Sequence, residues 1–306
     1  SKRSAGKEIA FMGKTYTVEE ATFDSFKGID IALFAGGSIS KDFAPHAVKA
    51  GAVVIDNSSA FRMDPDVPLV VPEVNPQAIL KHKGIIANPN CSTIIMVMAL
   101  KPIYDLAKIK RVIVSTYQAV SGAGKEGIDE LDAQVREHSE GREMTANILP
   151  SASAEKHYPI AFNLIPQIDV FCDNLYTKEE MKMVNETKKI MEDYEMRITA
   201  TTIRVPVYRS HSESVNIELE KEVDLGAMRE ALAKFPGVTV QDDPSKQEYP
   251  MPLYTSEKDD VYVGRLRRDE SCEKSYNMWV VGDQIRKGAA LNTLQIAETM
   301  IKNGWI

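Results

Sequence analysis

The sequence has few cysteines and no long apolar segment. It contains three cysteines among 306 residues, Cys91, Cys172 and Cys272, and they lie far apart. This number and spacing argue against a disulfide framework and fit a reducing compartment. No unbroken apolar run approaches transmembrane length, and residues 1–7 are polar, unlike a signal peptide. We therefore expect a cytoplasmic protein that has no membrane partner.

The sequence also lacks a metal-binding pattern and an excess of positive charge. Its cysteines and five histidines show no zinc-ligand spacing. The 37 basic and 44 acidic residues give a formal net charge of −7, which argues against a nucleic-acid or anionic-membrane surface. We expect neither a metal nor a nucleic-acid partner. With 43% hydrophobic residues, the chain is long enough to bury the cores of two domains.

The first half of the chain alternates apolar runs with amphipathic stretches. Four apolar runs predict strands over residues 29–35, 52–56, 69–71 and 85–87. Residues 42–50 predict a helix that ends at Gly51. Apolar strands separated by helices indicate a doubly wound, Rossmann-like α/β domain, in which ligands bind at the carboxyl ends of the strands. The residues predicted at those ends are Gly36, Gly37, Ser38, Asn57, Ser58 and Cys91.

The second half of the chain has a different pattern, which predicts an α+β domain. Predicted strands cover residues 112–117, 198–205, 214–220 and 278–281. Predicted helices cover residues 178–194, 224–235 and 289–303. Asp224 is the expected N-cap of the second of these helices. Residues 241–258 are rich in Pro, Asp and Ser and predict a long loop.

The most informative stretch is Asn88-Pro-Asn-Cys91-Ser-Thr. It follows an apolar run and precedes a helical pattern over residues 92–106, so Cys91 is predicted to lie where a strand ends and a helix begins. Unpaired N–H groups and the helix dipole at that position favour a thiolate and could hold a developing oxyanion. A cysteine is otherwise often a small buried apolar residue, and the placement favours the reactive alternative.

Three further features have both a chemical and a structural interpretation. Arg62 follows a predicted strand and suits a carboxylate or phosphate, although a surface salt bridge is the alternative. His211 is the best candidate for a general base because histidine titrates near neutral pH, and a structural histidine is the alternative. Residues 121–125 read Ser-Gly-Ala-Gly-Lys, but Ala119 and Glu126 exclude the phosphate loop of nucleoside triphosphatases. Such a loop still lets a cofactor ring approach the backbone.

Several segments, in order along the chain, resemble the aspartate-β-semialdehyde dehydrogenase family. They include Val71-Pro-Glu-Val-Asn75, the Cys91 stretch, Ser115-Thr-Tyr-Gln-Ala-Val-Ser-Gly-Ala-Gly124, residues 159–169, Arg204-Val-Pro-Val with His211-Ser, and residues 288–297. The resemblance covers essentially the whole chain. It implies the NADPH-dependent reductive dephosphorylation of L-4-aspartyl phosphate to L-aspartate 4-semialdehyde. This step lies on the routes to lysine (through diaminopimelate), threonine, methionine and isoleucine.

The resemblance also implies roles for particular residues. Cys91 would be the nucleophile that forms a thioester, His211 the acid/base, and Gln118 the residue that orients the intermediate. Arg204 would bind the substrate α-carboxylate and Arg62 the phosphate. The other implied substrate contacts are Asn90, Glu179 and Lys182. Glu180 remains an alternative to Glu179, and a surface salt bridge is the structural alternative for the pair of Glu179 and Lys182.

The implied cofactor is NADP, and the implied assembly is a homodimer or a tetramer. Residues 1–91 would form the NADP-binding domain, completed by a C-terminal helix over residues 288–306, and residues 92–287 the catalytic and dimerisation domain. The implied cofactor contacts are Arg3, Ser4, Gly36, Gly37, Ser38, Asn57, Ser58, Ser121, Gly122, Gly124 and Asn292.

The chain departs from the family at its start, where the family's glycine-rich strand–turn–helix is absent. We expect roughly 30 to 40 residues, one strand–helix unit, to precede Ser1. We also expect weak NADP binding by the chain as given, because the remaining loops would offer no helix start for the diphosphate.

Two alternative functions remain from the sequence. One is an N-acetyl-γ-glutamyl phosphate reductase type of enzyme, against which Gln118 argues. The other is a non-catalytic interaction subunit, which would apply if the protein truly lacked the phosphate-binding turn.

Overall fold

The computed structural model describes residues 4–306. Over these residues the α-helices are α1 (Ser40–Lys49), α2 (Cys91–Leu106), α3 (Lys125–Ser139), α4 (Lys178–Ile190), α5 (Leu225–Lys234), α6 (Pro252–Thr255) and α7 (Leu291–Lys302). The strands are β1 (Glu8–Phe11), β2 (Lys14–Thr17), β3 (Ile31–Phe34), β4 (Val53–Asp56), β5 (Ile85–Ala87), β6 (Ile109–Gln118), β7 (Arg197–Arg204), β8 (His211–Leu219), β9 (Val238–Val240), β10 (Val261–Arg268) and β11 (Ser275–Gly282).

Strands β3, β4 and β5 form a parallel sheet in that order. Residues 69–71, predicted as a fourth strand, contribute only an isolated parallel bridge between Leu69 and Ala87. The prediction of a strand there is wrong, because the Val71 N–H bonds to the Asn75 side chain rather than to a neighbouring strand. The run is nevertheless fully buried, which explains its apolar pattern.

Helices cover both faces of this sheet. On one face Ala44 and Ala47 of α1 pack against Ala32 and Val54. On the other face a cluster joins α7 to the sheet through Ile55, Ile86, Ile296 and Met300. Small residues let α1 approach the sheet closely, whereas the C-terminal helix fills the opposite face with larger side chains. The last helix of the chain thus lies on a sheet built from residues 31–87.

A second, six-stranded sheet has the order β7-β6-β8-β11-β10-β9. It is mixed: β6 is parallel to β7 and β9 to β10, while the other neighbours are antiparallel. Helix α2 packs on this sheet and contacts α4 and α5. Eleven of the sixteen residues of α2 are buried, as expected for a helix that is apolar on all sides. Cys91 stands at the first position of this central helix.

The structure corrects several predicted elements. Residues 241–258 are not a continuous loop, since they contain a 3₁₀ turn at Pro244–Lys246 and α6. The strand β10, the hairpin of β1 and β2, and the helix α3 were absent from the sequence prediction. Helix α3 buries Gly127, Glu130, Leu131 and Gln134, and its Ile128 packs with Leu131 in a small separate cluster. Asp224 is confirmed as the N-cap of α5, where its side chain accepts from two backbone N–H groups.

Within the part of the chain that the structure describes, no helix has both the length and the apolar composition needed to cross a bilayer.

Candidate active site

Cys91 lies at the first position of α2, four residues after β5 ends at Ala87. Its Sγ lies 3.5 Å from Nε2 of His211 and 3.8 Å from Oδ1 of Asn90. Asn90 has an extended backbone (φ −60°, ψ 144°) and is the N-cap residue of α2. The predicted strand-to-helix junction is therefore present, and it brings together a cysteine and a histidine that are 120 residues apart in sequence.

The expectation that this position by itself favours a thiolate is wrong for this arrangement of charges. Burial, followed by the nearby carboxylate of Glu179, raises the pKa of Cys91 to about 11, although Arg62 and Arg204 act in the opposite direction. Desolvation of the anion is the largest of these effects. The sulfur consequently needs a specific partner to be stabilised as an anion.

His211 is completely buried at the start of β8. The backbone N–H of Ala119 donates to its Nδ1 over 3.1 Å, while Nε2 faces Cys91. Burial and the neighbouring Arg204 guanidinium hold the pKa of His211 well below its usual range. The imidazole is therefore neutral around pH 7.

Three amide and carboxylate groups form a buried cluster beside Cys91. Oε1 of Glu179 accepts from Nδ2 of Asn90 over 3.0 Å and from Nε2 of Gln118 over 3.2 Å. Gln118, the last residue of β6, also donates to the Ser92 hydroxyl over 2.6 Å. The structure thus places Gln118 and Asn90 next to the cysteine, and it fixes both through a carboxylate from α4.

Helix α4 presents Glu179, Lys182 and Glu186 on one face toward the site. Burial alone would raise the pKa of Glu179, but Lys182, with Nζ 3.1 Å from Oε2, and the two amide donors lower that pKa overall. Lys182 also contacts Asp169 over 3.0 Å. Glu180 instead forms the capping box of α4 with Thr177 and accepts from the Thr202 N–H. Of the two neighbouring acids, Glu179 is the one in the site.

Arg62 joins this helix to the parallel sheet. Its Nη1 lies 3.2 Å from Oε1 of Glu186, and the other oxygen of Glu186 accepts from the Asn90 N–H over 2.6 Å. Burial raises the pKa of Glu186, although Arg62 and the Asn90 N–H act in the opposite direction. Lys189 supports the loop after β4, because its Nζ donates to the carbonyls of Arg62, Asp64 and Val67.

Arg204 ends β7 and is 3% exposed. Its Nη1 donates to the Ala119 carbonyl over 2.7 Å, whereas its buried Nε has no hydrogen-bond partner among residues 4–306. A Cβ added at Gly122 would lie 2.7 Å from Nη1 of Arg204 and 3.2 Å from Cε1 of His211. A glycine here keeps open the space in front of a buried guanidinium. A buried cation with an unpartnered donor suits an anionic ligand.

The predicted cofactor residues lie at the ends of strands. Gly36, Gly37 and Ser38 follow β3, Asn57 and Ser58 follow β4, and Ser121, Gly122 and Gly124 follow β6. Ser4 lies in the turn before β1, and Arg3 lies outside the described residues. The Ser58 hydroxyl donates to Asp56 over 2.6 Å, and the Ser121 hydroxyl accepts from Gln284. An apolar cavity beside the glycines is lined by Phe26, Leu33, Ile39 and Phe43, among others.

The expectation that these loops offer no helix start is wrong. A 3₁₀ turn over Gly37–Ile39 leads directly into α1 at Ser40. Gly37 has φ +67°, a conformation that glycine adopts without strain. The carboxyl end of β3 is thus followed by a glycine turn and a helix N-terminus, the arrangement that suits a diphosphate.

Asn292 of α7 reaches the cysteine turn through side-chain amides. It donates to Asn88 over 2.7 Å, and Asn88 donates to Asn57 over 2.6 Å. Buried Lys287 donates to Asn292 over 3.0 Å and contacts Glu73 over 2.5 Å. These bonds connect the C-terminal segment with the turn that carries Cys91.

Sequence reasoning missed Glu186, Lys189, Lys287 and the Ala119 backbone. The place of Glu186 in the site could have been predicted, because it lies seven residues after Glu179 and therefore on the same face of a helix. The backbone of Ala119 and the buried Lys287 carry no such signal. Their roles depend on contacts between residues that are 92 and 214 positions apart.

A doubly wound parallel sheet with a cysteine–histidine pair near its strand ends defines an α/β oxidoreductase of the dinucleotide-binding class. Two family models match the chain: "Semialdehyde dehydrogenase, NAD binding domain" over residues 1–82 and "Semialdehyde dehydrogenase, dimerisation domain" over residues 100–287. The chain belongs to the aspartate-semialdehyde dehydrogenase family. The predicted family and the predicted fold class are therefore confirmed.

Similar proteins span nearly the same length. The aspartate-semialdehyde dehydrogenase of Aquifex aeolicus is 57% identical over 310 residues, which cover 100% of this chain and 89% of the relative. That of Bacillus subtilis is 54% identical over 304 residues, covering 99% and 88%. The crystal structure of aspartate semialdehyde dehydrogenase II from Vibrio cholerae, complexed with ASA, is 47% identical with a TM-score of 0.91, covering 99% of this chain and 88% of that one.

Proposed function

We propose that this protein is an NADP-dependent aspartate-semialdehyde dehydrogenase. It would convert L-4-aspartyl phosphate to L-aspartate 4-semialdehyde through a thioester at Cys91. The observation that carries this proposal is the contact of 3.5 Å between Cys91 and His211 beside the buried, incompletely bonded Arg204. The names of the relatives support the choice of substrate.

The site supplies a cationic group for each anionic group of the proposed substrate. Arg204 would hold the α-carboxylate, since its buried Nε has no hydrogen-bond partner among residues 4–306. Arg62 and Lys182, which pair with Glu186 and Glu179 of α4, would hold the phosphate. Asn90, Gln118 and Glu179 form hydrogen bonds with one another next to the sulfur. This distribution of charge orients an acyl phosphate so that its carbonyl carbon faces Cys91.

The first half-reaction forms the thioester. Sγ of Cys91 attacks the acyl carbon, the C–S bond forms, and the C–O bond to phosphate breaks. Phosphate leaves as HPO₄²⁻, carrying the proton of the thiol, so that atoms and charge balance. When bound, NADPH would supply the hydride for the second half-reaction, and this hydride together with one proton from solvent releases the aldehyde and restores the thiol.

The residues at the strand ends fit a dinucleotide. The glycine turn before α1 leaves backbone N–H groups and a helix start accessible to a diphosphate. The apolar cavity next to Gly36 suits a flat ring. Gly36, Gly37, Ser38, Asn57, Ser58, Ser121, Gly122, Gly124 and Asn292 are the proposed contacts of the cofactor within the described structure, and Arg3 and Ser4 are proposed from the family resemblance.

An assay of the reverse reaction tests the proposal. We expect phosphate-dependent reduction of NADP by the purified protein when aspartate semialdehyde is supplied, and a slower reaction with NAD. Activity with N-acetylglutamate semialdehyde in place of the aspartate compound would instead support the alternative reductase. Absence of reduction with either aldehyde would favour the non-catalytic interaction subunit.

We also propose that the protein assembles as a homodimer or a tetramer, on the basis of the family's dimerisation domain. Sedimentation equilibrium should give a mass that is two or four times 34.0 kDa. The proposed reaction would place the protein in the biosynthesis of lysine through diaminopimelate and of threonine, methionine and isoleucine, within the cytoplasm.

A further inference from the structure

Three side-chain amides form a hydrogen-bonded relay between Lys287 and the carboxyl end of β4. Lys287 is completely buried in the π-helical turn over Arg286–Ala290. Its Nζ lies 2.5 Å from Oε2 of Glu73 and 3.0 Å from Oδ1 of Asn292. Because an ammonium group has only donors, Asn292 presents its oxygen to Lys287 and its Nδ2 to the opposite side.

The orientation of Asn292 is fixed by a second contact. Its Nδ2 donates to the carbonyl of Val70 over 3.0 Å and to Oδ1 of Asn88 over 2.7 Å. A backbone carbonyl only accepts, so Val70 requires the same orientation of the amide as Lys287 does. The oxygen of Asn88 consequently faces Asn292, and the Nδ2 of Asn88 faces the other way.

Asn88 transmits this direction to Asn57, the third amide of the relay. Nδ2 of Asn88 donates to Oδ1 of Asn57 over 2.6 Å and reaches the Pro89 carbonyl at 3.4 Å. The Asn57 amide is therefore oriented with its oxygen toward Asn88. Its Nδ2 has no hydrogen-bond partner among residues 4–306, and Asn57 is only half-buried. The relay ends in an accessible N–H₂ donor.

No amide of the relay can turn over by itself. Rotation of Asn57 alone would set its N–H₂ group against that of Asn88, and rotation of Asn88 would set two oxygens against each other at one contact. Buried polar groups left without a partner are costly, so the three amides keep one direction. Asn57 thus offers a donor before any ligand binds.

The position of Asn57 indicates which part of a ligand would meet this donor. The sheet order β3-β4-β5 places Asn57, which follows β4, between the glycine turn after β3 and the turn that leads from β5 to Cys91. In the proposed function the glycine turn holds the diphosphate and Cys91 carries the reacting carbon. The part of a dinucleotide that joins these two points is the nicotinamide riboside, whose hydroxyl and carboxamide oxygens are acceptors.

We propose that Asn57 donates from Nδ2 to an oxygen of the nicotinamide riboside half of the cofactor, and that the amide relay starting at Lys287 fixes this donor before binding. The contact then requires no rearrangement of the Asn57 amide when the ligand binds. Lys287 and Asn88 are positioning residues that act through Asn57. The identity of the ligand rests on the proposed function, whereas the direction of the amides is a property of the folded chain.

Asn57→Asp tests the donor directly. The new carboxylate still accepts from Asn88 but presents an acceptor in place of the N–H₂ group. We expect the dissociation constant of NADP, measured by isothermal titration calorimetry, to rise at least about tenfold. The dissociation constant of adenosine 2′,5′-bisphosphate, the half of NADP that lacks the nicotinamide riboside, should stay within about twofold of the wild-type value.

Asn185→Asp, which adds the same charge at an exposed position of α4, is the matched control and should leave both dissociation constants unchanged. Wild-type affinity of Asn57→Asp for NADP overturns the proposal. An equal loss of affinity for NADP and for the adenosine fragment also overturns it, because the effect would then not involve the nicotinamide riboside.

Asn88→Asp tests the relay at a residue that is completely buried. Once ionised, the new side chain can only accept, so Asn57 must turn its N–H₂ group toward it and its oxygen toward the ligand. We expect the dissociation constant of NADP to rise about tenfold between about pH 6 and 9 as the acid ionises. The same substitution in an Asn57→Ala background should have no further effect. Equal losses in both backgrounds would show that Asn88 does not act through Asn57.

Nuclear magnetic resonance of the asparagine side chains tests the amide direction without a ligand. Selective ¹⁵N-asparagine labelling, with Asn57→Asp for assignment, identifies the N–H₂ signals of Asn57. We expect these protons to exchange with water as an exposed amide does, and those of Asn88 and Asn292 to be protected. Addition of NADP should slow the exchange at Asn57. Protection of the Asn57 N–H₂ group in the absence of NADP would mean the opposite orientation and overturns the proposal.

These measurements distinguish failure of this proposal from failure of the proposed function. If the protein does not reduce NADP with aspartate semialdehyde, but Asn57→Asp weakens NADP binding selectively and the exchange rates are as expected, the proposed reaction fails and the role of Asn57 stands. If the protein is active and Asn57→Asp binds NADP as the wild type does, the proposed function stands and the role of Asn57 fails.

Discussion

At the scale of single residues, the site consists of buried polar groups that satisfy one another around one sulfur atom. Burial and Glu179 raise the pKa of Cys91 to about 11, although Arg62 and Arg204 act in the opposite direction. Its reactivity depends on donors placed within hydrogen-bond reach. Substitutions that keep size but change the chemistry of one atom should therefore have large effects on catalysis and small effects on folding.

We expect Cys91→Ser to lower kcat by at least about 10³-fold while the far-ultraviolet circular dichroism stays unchanged. A serine hydroxyl has a much higher pKa than a thiol and is a weaker nucleophile. Steady-state kinetics measures the loss, and Cys272→Ser, at an exposed cysteine, is the matched control. A Cys91→Ser rate within about tenfold of the wild type would exclude the covalent mechanism.

Arg204→Lys should reduce kcat/KM for aspartate semialdehyde about 10- to 100-fold. Lysine keeps the charge but loses the two-pronged contact with a carboxylate, worth about 1.5–3 kcal/mol. Arg197→Lys, at the exposed opposite end of β7, provides the control. Unchanged kcat/KM in Arg204→Lys would mean that the arginine only supports the Ala119 carbonyl.

Glu213 provides a prediction about pH and stability. Within the described part of the chain its buried carboxyl oxygens have no hydrogen-bond partner, and burial holds its pKa well above 4.5. The folded state keeps a proton that the unfolded state releases, so this residue's contribution to stability falls as the pH rises above about 4.5. Glu213→Gln should therefore be more stable than the wild type at pH 8, and the difference should shrink toward pH 4.5.

Urea denaturation at several pH values measures this difference, which can grow by at most about 1.4 kcal/mol per pH unit. Glu218→Gln, on the same strand but paired with surface cations, serves as the control. A difference between Glu213→Gln and the wild type that does not change with pH would contradict the assignment.

At the scale of elements, α4 links the two halves of the site. One face of this helix carries Glu179 next to the cysteine and Glu186, which binds both Arg62 and the Asn90 N–H. The capping box of Thr177 and Glu180 fixes where the helix begins. The start of α4 therefore determines which acidic side chains face the site.

Glu186→Ala should lower the free energy of unfolding by about 3 kcal/mol, since it leaves a buried guanidinium and a buried N–H without their acceptor. Glu186→Gln keeps a carbonyl oxygen and should lose less. Thermal and urea denaturation measure both, with Asn185→Ala at an exposed neighbouring position as the control. Equal stability of Glu186→Ala and the wild type would show that the pair contributes nothing to the fold.

At the scale of the whole molecule, the C-terminal segment completes a site that begins near residue 57. A π-helical turn over Arg286–Ala290 leads into α7 and packs against the cysteine turn. π-Helical turns often occur at functional sites. Buried Lys287 bonds to Glu73 and Asn292 at this junction, so the C-terminal segment and the region around Glu73 share one polar network.

Gly288→Ala tests whether catalysis depends on the packing of the C-terminal segment against the cysteine turn. The added Cβ would lie 3.0 Å from Cβ of Cys91 and 3.3 Å from its Cα, so the cysteine turn must shift. We expect kcat to fall about 10- to 100-fold with secondary structure retained, because a displacement of the nucleophile disturbs its alignment. Leu294→Ala, at an exposed site on α7, is the control, and wild-type kcat in Gly288→Ala would show that the turn tolerates the shift.

Local patterns in the sequence determined the helices and strands that have a clear apolar run, a turn residue or a capping residue. The apolar run before Cys91, the proline in its turn and the long apolar pattern after it predicted a strand, a turn and a helix in the positions observed. The Asp224 cap followed from its side-chain chemistry. The hairpin β1–β2 was missed because all residues of its two strands are exposed, and α3 was missed although Ile128 and Leu131 share an apolar side.

Only the tertiary structure decided how the chemical groups meet. Cys91 and His211 come together because β6 and β8 pair in one sheet beneath α2. The capping box determined that Glu179 rather than Glu180 faces the site. The protonation states of Cys91 and His211 depend on burial and on charges brought from distant segments. Sequence encodes residue types and local conformation, whereas pKa values and hydrogen-bond direction arise from contacts that exist only in the folded chain.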